Sequence, residues 1–182
     1  KAYGVIGHPI SHSLSPLLHN TAMKFAEING IYLAFPVEPS ALPAAVEAMR
    51  ALGIGGFNVT VPHKQTIIPF LDGLEGDAKL TGSVNTVVNE NGFLRGYSTD
   101  GMGLLRSLRD EANWVPAGRT AAIIGTGGAA VAVAFRLMQA GLKRLLIVGR
   151  SPEKLQWFAG RIQDRLGVSV ETCLIKELER IP

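Results

Sequence analysis

The sequence predicts an α/β protein made of two units in series, and three observations carry that prediction. Short apolar or β-branched runs alternate with segments of helical periodicity from the first residues onward. A stretch bearing proline and glycine, NWVPAGR (113–119), interrupts the alternation and marks a boundary between residues 1–113 and 114–182. Beyond it, a strand-like run, a glycine turn, a small-residue helix and further strand-like runs follow in the order of half a doubly wound, Rossmann-like sheet.

The elements can be justified in order. AYGVIG (2–7) and IYLAFPV (31–37) read as strands, and the alternation favours parallel pairing. Between them, Ser15 is a suitable N-cap and Pro16 suits the first helical position. Leu18, Ala22, Phe25 and Ala26 recur at helical spacing, and Gly30 follows the helix end. A second helix runs from Ser40 to about Leu52, with Gly53 as its stop. GFNVTV (56–61) is the third strand, ended by Pro62, which has no amide hydrogen for a ladder. Residues 74–83 read as a short helix. Residues 83–99 read as a hairpin turning at Glu90-Asn91-Gly92, and residues 100–113 as a helix. TAAIIG (120–125) is a buried-strand run, residues 129–141 a helix, and RLLIVG (144–149) a strand. Residues 151–167 form a helix capped by Ser151 with Pro152 at its first position, and VSVETC (168–173) a last strand.

Composition narrows the function classes. Of the 182 residues 47% are hydrophobic, enough for a substantial core. The net charge of +3 comes without a basic run or aromatic–basic interleaving, so no nucleic-acid partner is expected. A lone cysteine, Cys173, excludes an internal disulfide and suits a reducing compartment. No apolar stretch approaches spanning length, and a strand-like run begins where a signal peptide would stand. The expectation is a soluble cytoplasmic protein with no membrane partner. His8 and His12 lie four apart, but in a loop containing Pro9 and without a cysteine cluster, so no metal site is expected.

Two sites emerge from the residues. In IIGTGGAAVAVAFRL, Gly125 ends a strand, while Gly127 and Gly128 let the backbone approach a pyrophosphate. Ala129, Ala130 and Ala132 are small enough for close helix–sheet packing. At the end of the next strand an NAD site usually carries an acidic residue. Here Arg150, Ser151 and Lys154 stand instead, a set that suits the 2′-phosphate of NADP. Solvated surface charges are the competing reading of Arg150 and Lys154.

The first unit offers the other site. Ser13 and Ser15 precede a helix, where two hydroxyls beside unpaired amides suit a small carboxylate, although a cap and a loop residue explain them equally well. Asn58, Thr60, Lys64, Asn85, Thr86 and Asp100 stand at or near strand ends, where polar groups face the crevice of an open α/β sheet. A lysine and an aspartate at one pocket make a proton-transfer and orientation pair. Taken alone, Lys64 and Asp100 are equally compatible with a surface charge and a helix cap.

GHPISHSLSPLLHN, FNVTVPHK, GSVNTVV, GYSTDGMG and IIGTGGAAVAVAF stand in an order that resembles the shikimate dehydrogenase family, which includes the quinate/shikimate dehydrogenases. The resemblance runs through about residue 151. It implies an N-terminal substrate-binding α/β domain followed by a Rossmann-like NADP domain. It implies that Ser13 and Ser15 hold the shikimate carboxylate, and that Thr60, Lys64, Asn85 and Asp100 meet the ring hydroxyls. It implies Lys64 and Asp100 as the catalytic pair, and Gly125, Gly127, Gly128, Ala129, Arg150, Ser151 and Lys154 as the cofactor site. The implied reaction is reversible NADP-dependent reduction of 3-dehydroshikimate to shikimate, on the route to chorismate and the aromatic amino acids. A nearby Asp100 would raise the lysine pKa, so Lys64 is expected to act as a cationic donor, with His63 supporting its turn.

Some features depart from the family pattern. Gly149-Arg150-Ser151 stands where asparagine-arginine-threonine is common, and Ser98 replaces an asparagine. The family continues for about another third of its length, completing the second sheet, returning helices to the first domain and supplying a substrate-contacting glutamine. On that ground the NADP domain is expected to be incomplete and the chain to self-associate, as a homodimer or by swapping elements, with little activity. The alternatives are a quinate/shikimate dehydrogenase using NAD, or a truncated fragment that binds without turnover.

Overall fold

The computed structural model describes residues 1–180. They divide by their contacts into two compact units, with the division between Ser98 and Thr99. This division falls ahead of the 113–119 stretch, because helix α5 (Asp100–Ala112) packs along helix α6 (Gly128–Gln139) of the second unit.

The first unit is built on one sheet in the order β2-β1-β3-β5-β6-β4. Strand β1 (Ala2–Gly7) pairs in parallel with β2 (Ile31–Pro36) and β3 (Gly56–Val59). Strand β5 (Thr86–Glu90) returns antiparallel to β3 and forms a hairpin with β6 (Phe93–Tyr97), to which the short β4 (Gly73–Leu74) adds in parallel. The sheet is therefore mixed rather than parallel throughout. Asn91 and Gly92 turn the hairpin with φ of 56° and 95°, the left-handed pair that matches strand twist.

The two faces of this sheet have different cover. Helix α2 (Leu42–Ala51), entered through a 3-10 turn at Pro39–Ala41, buries Leu42, Val46 and Met49, one stripe at helical spacing. These join Ile6, Phe57, Val59, Ile67, Val84, Val87 and Leu94 in the main core. On the other side Val5, Ile10 and Tyr32 form a smaller cluster with Met23 of helix α1 (Ser15–Phe25). The stripe Leu18, Ala22, Phe25 and Ala26 is not the buried one; Leu18 is 64% exposed and Phe25 92%. The inward face is chosen instead by polar contacts. The Asn20 side chain donates to the Tyr32 carbonyl and accepts from the Tyr32 amide, both at 2.8 Å, and His19 stacks on the Tyr32 ring at 4.2 Å.

Two local expectations shift. Ser15 is the first residue of α1, not its cap; its amide donates to the Ser13 hydroxyl at 3.3 Å, and Pro16 takes the second helical position. Strand β3 stops at Val59, three residues before Pro62. A helical turn, α3 (His63–Thr66), follows and carries Lys64, so the lysine stands on a turn rather than at a strand end. Helix α4 (Asp77–Thr81) completes the first unit.

The second unit holds three parallel strands in the order β7-β8-β9. Strand β7 (Thr120–Ile124) is followed by α6, β8 (Arg144–Gly149), α7 (Pro152–Leu166) and β9 (Glu171–Leu174). Helix α6 buries Val131, Ala132, Ala134, Phe135 and Leu137. Helix α7 buries Leu155, Phe158 and Ile162, and β8 buries Leu145, Ile147 and Val148. Ser151 caps α7, its hydroxyl accepting from the Lys154 amide at 3.3 Å, as the sequence predicts. TAAIIG is not buried as expected. No residue of β7 is buried and Ile124 is 72% exposed, because β7 is an edge of the three-stranded sheet and β8 is its centre. The last strand begins at Glu171 rather than residue 168.

Candidate functional site

In the first unit the loop after β1 and the residues after β3 enclose one cavity of about 520 Å³. It is lined by Ser13, Ser15 and Thr60 together with His8, His12 and Val61. The parallel pairing of β1 and β3 causes this meeting of residues more than forty positions apart. The Thr60 amide donates to the Ile6 carbonyl, and the His8 amide to the Val61 carbonyl at 3.0 Å, so the two loops leave the sheet side by side. The His8–Pro9 and Val61–Pro62 peptide bonds are both cis.

Asn58, Asn85 and Thr86 form a second polar group on the sheet. The Asn58 Nδ2 donates to the Asn85 carbonyl and to Thr86 Oγ1, each at 3.2 Å, and Thr86 Oγ1 donates to Asn85 Oδ1 at 3.1 Å. The register places Asn58 directly across from Thr86. Tyr32, which sequence reasoning missed, joins through its hydroxyl, donating to Asn58 Oδ1 at 2.6 Å. Burial pushes the Tyr32 phenol up to about 12, so it stands protonated as a donor. Only the parallel β1–β2 pairing could have revealed it, since Tyr32 reads in the sequence as an ordinary strand residue.

Lys64 is half-buried on α3, and its carbonyl accepts from the Val84 amide at 2.7 Å, which ties the turn to the chain leading into Asn85. His63 beside it is fully buried and its Nε2 donates to the Val37 carbonyl at 2.7 Å. Its supporting part in the turn is thus direct. Asp100 belongs to the second unit, as the first residue of α5, and is half-buried.

The second unit has its own cavity, about 360 Å³, where β7 and β8 end and α7 begins. Gly125, Arg150, Ser151 and Lys154 line it, with Thr126, Val148 and Ile175. Gly125 holds φ at 127°, a backbone that glycine adopts without strain, and this turns the chain from β7 toward α6. Gly127 is the α6 cap, Gly128 its first residue and Ala129 its second, so their amides belong to the helix start, where intrahelical partners are lacking, and none of the three lines the cavity. Nothing lies within 4 Å of a Cβ built at Gly127, so the backbone is open to close approach. The Ser151 hydroxyl donates to Glu153 at 2.6 Å, which holds that carboxylate below its usual range. Arg150 and Lys154 are exposed. Among the described residues no cluster of three His, Cys, Asp or Glu side chains is placed to hold a metal ion. No helix among them is long and apolar enough to cross a membrane.

Residues 5–87 match the family model described as the shikimate dehydrogenase substrate binding domain. A shikimate dehydrogenase (NADP(+)) of Caldanaerobacter subterraneus subsp. tengcongensis is 43% identical over 99% of this chain and 64% of its own length. One from Moorella thermoacetica is 52% identical over 87% of this chain and 53% of its own length. A solved shikimate dehydrogenase in complex with NADP+ superimposes with a TM-score of 0.87 at 41% identity, covering 94% of this chain and 61% of that one. The chain thus spans between about half and two thirds of the relatives it matches. Matched on both sequence and fold, and carrying the substrate-binding domain followed by a Rossmann-like β-α-β-α-β unit, the chain belongs to the shikimate dehydrogenase family.

Proposed function

We propose that the protein takes part in the NADP-dependent, reversible reduction of 3-dehydroshikimate to shikimate, a step toward the aromatic amino acids. The observation that carries this reading is the cavity that gathers Ser13, Ser15 and Thr60 inside the domain matched by the family model. Two hydroxyls beside the start of α1 suit a carboxylate, since the amides of a first helical turn lack intrahelical partners and carry partial positive charge. Thr60 at the same wall suits a ring hydroxyl.

The cofactor residues fit a dinucleotide phosphate. The Gly125 turn and the open backbone at Gly127 admit a pyrophosphate at the start of α6, and Arg150 with Lys154 offers two cations to a 2′-phosphate. The cofactor supplies a hydride when bound. In this reading the chain does the rest. Ser13 and Ser15 fix the carboxylate, and Thr60 and Asn85 orient the ring. Lys64 gives a proton to the oxygen of the carbonyl being reduced and takes it back in the reverse direction. Asp100 is the other residue to which this reading assigns a part in the chemistry. The single cysteine suits a reducing compartment, the cytoplasm.

The test is titration calorimetry of the chain with shikimate and, separately, NADP, beside an assay of shikimate-dependent NADP reduction. Saturable shikimate binding that disappears in the Ser13→Ala/Ser15→Ala double variant supports the reading. Shikimate binding unchanged by that double substitution would remove the carboxylate site, and absence of binding by the unaltered chain would remove the substrate.

A further inference from the structure

The cavity that gathers Ser13, Ser15 and Thr60 offers a carboxylate hydroxyls and the start of α1, yet among the described residues that line it none is Lys, Arg, Asp or Glu. The ionisable groups of the lining are two histidines, His8 and His12. Both come from the loop after β1, one on each side of Ile10. Ile10 anchors the loop: its side chain is 5% exposed and packs with Val5 and Tyr32, and its carbonyl accepts from the Ser13 amide at 3.0 Å. The His8 amide is tied to the Val61 carbonyl across the cavity. With the middle of the loop buried, the two imidazoles stay exposed at the cavity's open side. The other walls bring no competing titratable group. Strand β1 contributes Val5, the start of α1 Leu14 and Ser15, and the residues after β3 Thr60 and Val61. His63 and Lys64 follow on α3, and His19 is stacked on Tyr32; none of the three lines the cavity.

We infer that His8 and His12 are anion-binding residues of this cavity, giving it the positive charge with which it takes a substrate carboxylate. The inference rests on the substrate reading proposed above. Imidazole is the side chain whose ordinary proton exchange falls between about pH 5 and pH 8. Protonated, it brings a full charge and donors on both ring nitrogens to a carboxylate. Neutral, it brings one donor and a lone pair that opposes the carboxylate oxygens. The hydroxyls make no such change. Ser13 Oγ accepts from the Ser15 amide at 3.3 Å and so keeps its own proton for a ligand oxygen. The serines thus recognise the carboxylate by its hydrogen bonds, and the histidines by its charge. Binding and protonation then favour each other. Affinity rises as pH falls through the imidazole range, and by reciprocity the binding step takes up protons near neutrality.

The experiment follows shikimate binding by titration calorimetry from about pH 5.5 to about pH 8.5 at constant ionic strength, across the imidazole range. It compares the unaltered chain with His8→Gln, His12→Gln and the double variant. Glutamine keeps a polar side chain and removes the charge, and both positions are exposed, so the fold is spared. The unaltered chain should bind about three- to tenfold more tightly at the acid end, the range of one or two partly screened charge pairs. Each single variant should lose part of that gain and the double variant all of it. His19→Gln, which removes an imidazole outside the cavity, should keep the slope. The uncharged methyl ester of shikimate should bind without it. Shikimate affinity that is flat with pH, or a slope retained by the double variant, would overturn the role of the histidines and leave the substrate reading standing. If the unaltered chain binds no shikimate, the substrate reading fails and acetate decides the role of the histidines. Ring-proton resonances of His8 and His12 that move with acetate at about pH 6, and less at about pH 8, support an anion site. Resonances that stay in place on addition of acetate overturn it.

Discussion

His63 Nε2 and the carbonyl oxygen of Val37 lie 2.7 Å apart in a fully buried contact that joins the turn carrying Lys64 to the chain leaving β2. A carbonyl can only accept, so the ring proton sits on Nε2 and the imidazole acts as a structural donor. Its neighbour Lys64 is thereby held on a turn that cannot rotate without orphaning a buried carbonyl.

His63→Ala should therefore lower unfolding stability by about 2–4 kcal/mol, from the cavity and the unpaired Val37 carbonyl together. Urea unfolding checks this. A loss under about 0.5 kcal/mol, the range of ordinary surface substitutions, would show that the contact does not brace the turn.

Gly101 and Gly103 sit two residues apart in α5 and should respond oppositely to alanine. A Cβ at Gly101 would lie 2.6 Å from the Ala132 carbonyl of α6, whereas nothing stands within 4 Å at Gly103. Gly101→Ala should destabilise by about 1–3 kcal/mol through overpacking. Gly103→Ala should stabilise by up to about 1 kcal/mol, since glycine in a helix interior costs that much in conformational freedom. Thermal melts of the two variants give the comparison, and equal shifts would refute the close α5–α6 approach.

In a preparation that turns over, Lys64→Ala should cut turnover at least about 100-fold with shikimate affinity comparatively unchanged, as expected for loss of an acid–base group. Steady-state kinetics decides it. Turnover within about threefold of the unaltered protein, far short of what acid–base catalysis contributes, would take Lys64 out of the chemistry.

Cofactor choice should depend on opposing charges at the start of α7. Arg150→Ala should weaken NADP far more than NAD, and adding Lys154→Ala should enlarge the loss. Glu153 accepts from Ser151 at the same helix start, so Glu153→Gln removes a negative charge and releases the hydroxyl. It should tighten NADP while leaving NAD little changed. Fluorescence titrations with both nucleotides check these signs. Equal losses for NAD and NADP in Arg150→Ala would place Arg150 away from the 2′-phosphate.

The Arg50–Asp72 pair predicts an acid dependence. Arg50 bonds Asp72 at 2.6 Å and the Leu94 amide donates to the same carboxylate at 2.7 Å, so Asp72 titrates below its ordinary 3.8. A carboxyl lowered in the folded state stabilises above its unfolded value and loses that contribution as pH falls through the folded one. The melting-temperature gap between the unaltered protein and Asp72→Asn should be present near neutrality and close as pH drops below 3.8. The pair is partly exposed, so salt should also narrow the gap. A gap that widens in acid would contradict the assignment.

Most elements, the glycine turn and the residue types at both sites are legible in the sequence, because these are local properties. The Asn91-Gly92 hairpin, the Ser151 cap and the β7-α6-β8-α7-β9 succession all follow from turn chemistry and periodicity within a few residues. Tertiary structure decided which faces and partners those elements use. Leu18 and Phe25 carry the stronger apolar signal in α1, yet Asn20 and His19 turn that helix inward by binding Tyr32, a long-range preference that no window along α1 contains. TAAIIG reads as buried, yet its exposure depends on being an edge strand, which is a property of the sheet and not of the run. The meeting of Ser13 and Ser15 with Thr60, and the Tyr32–Asn58–Thr86–Asn85 chain, both depend on strand order and register, which bring together side chains separated by tens of residues.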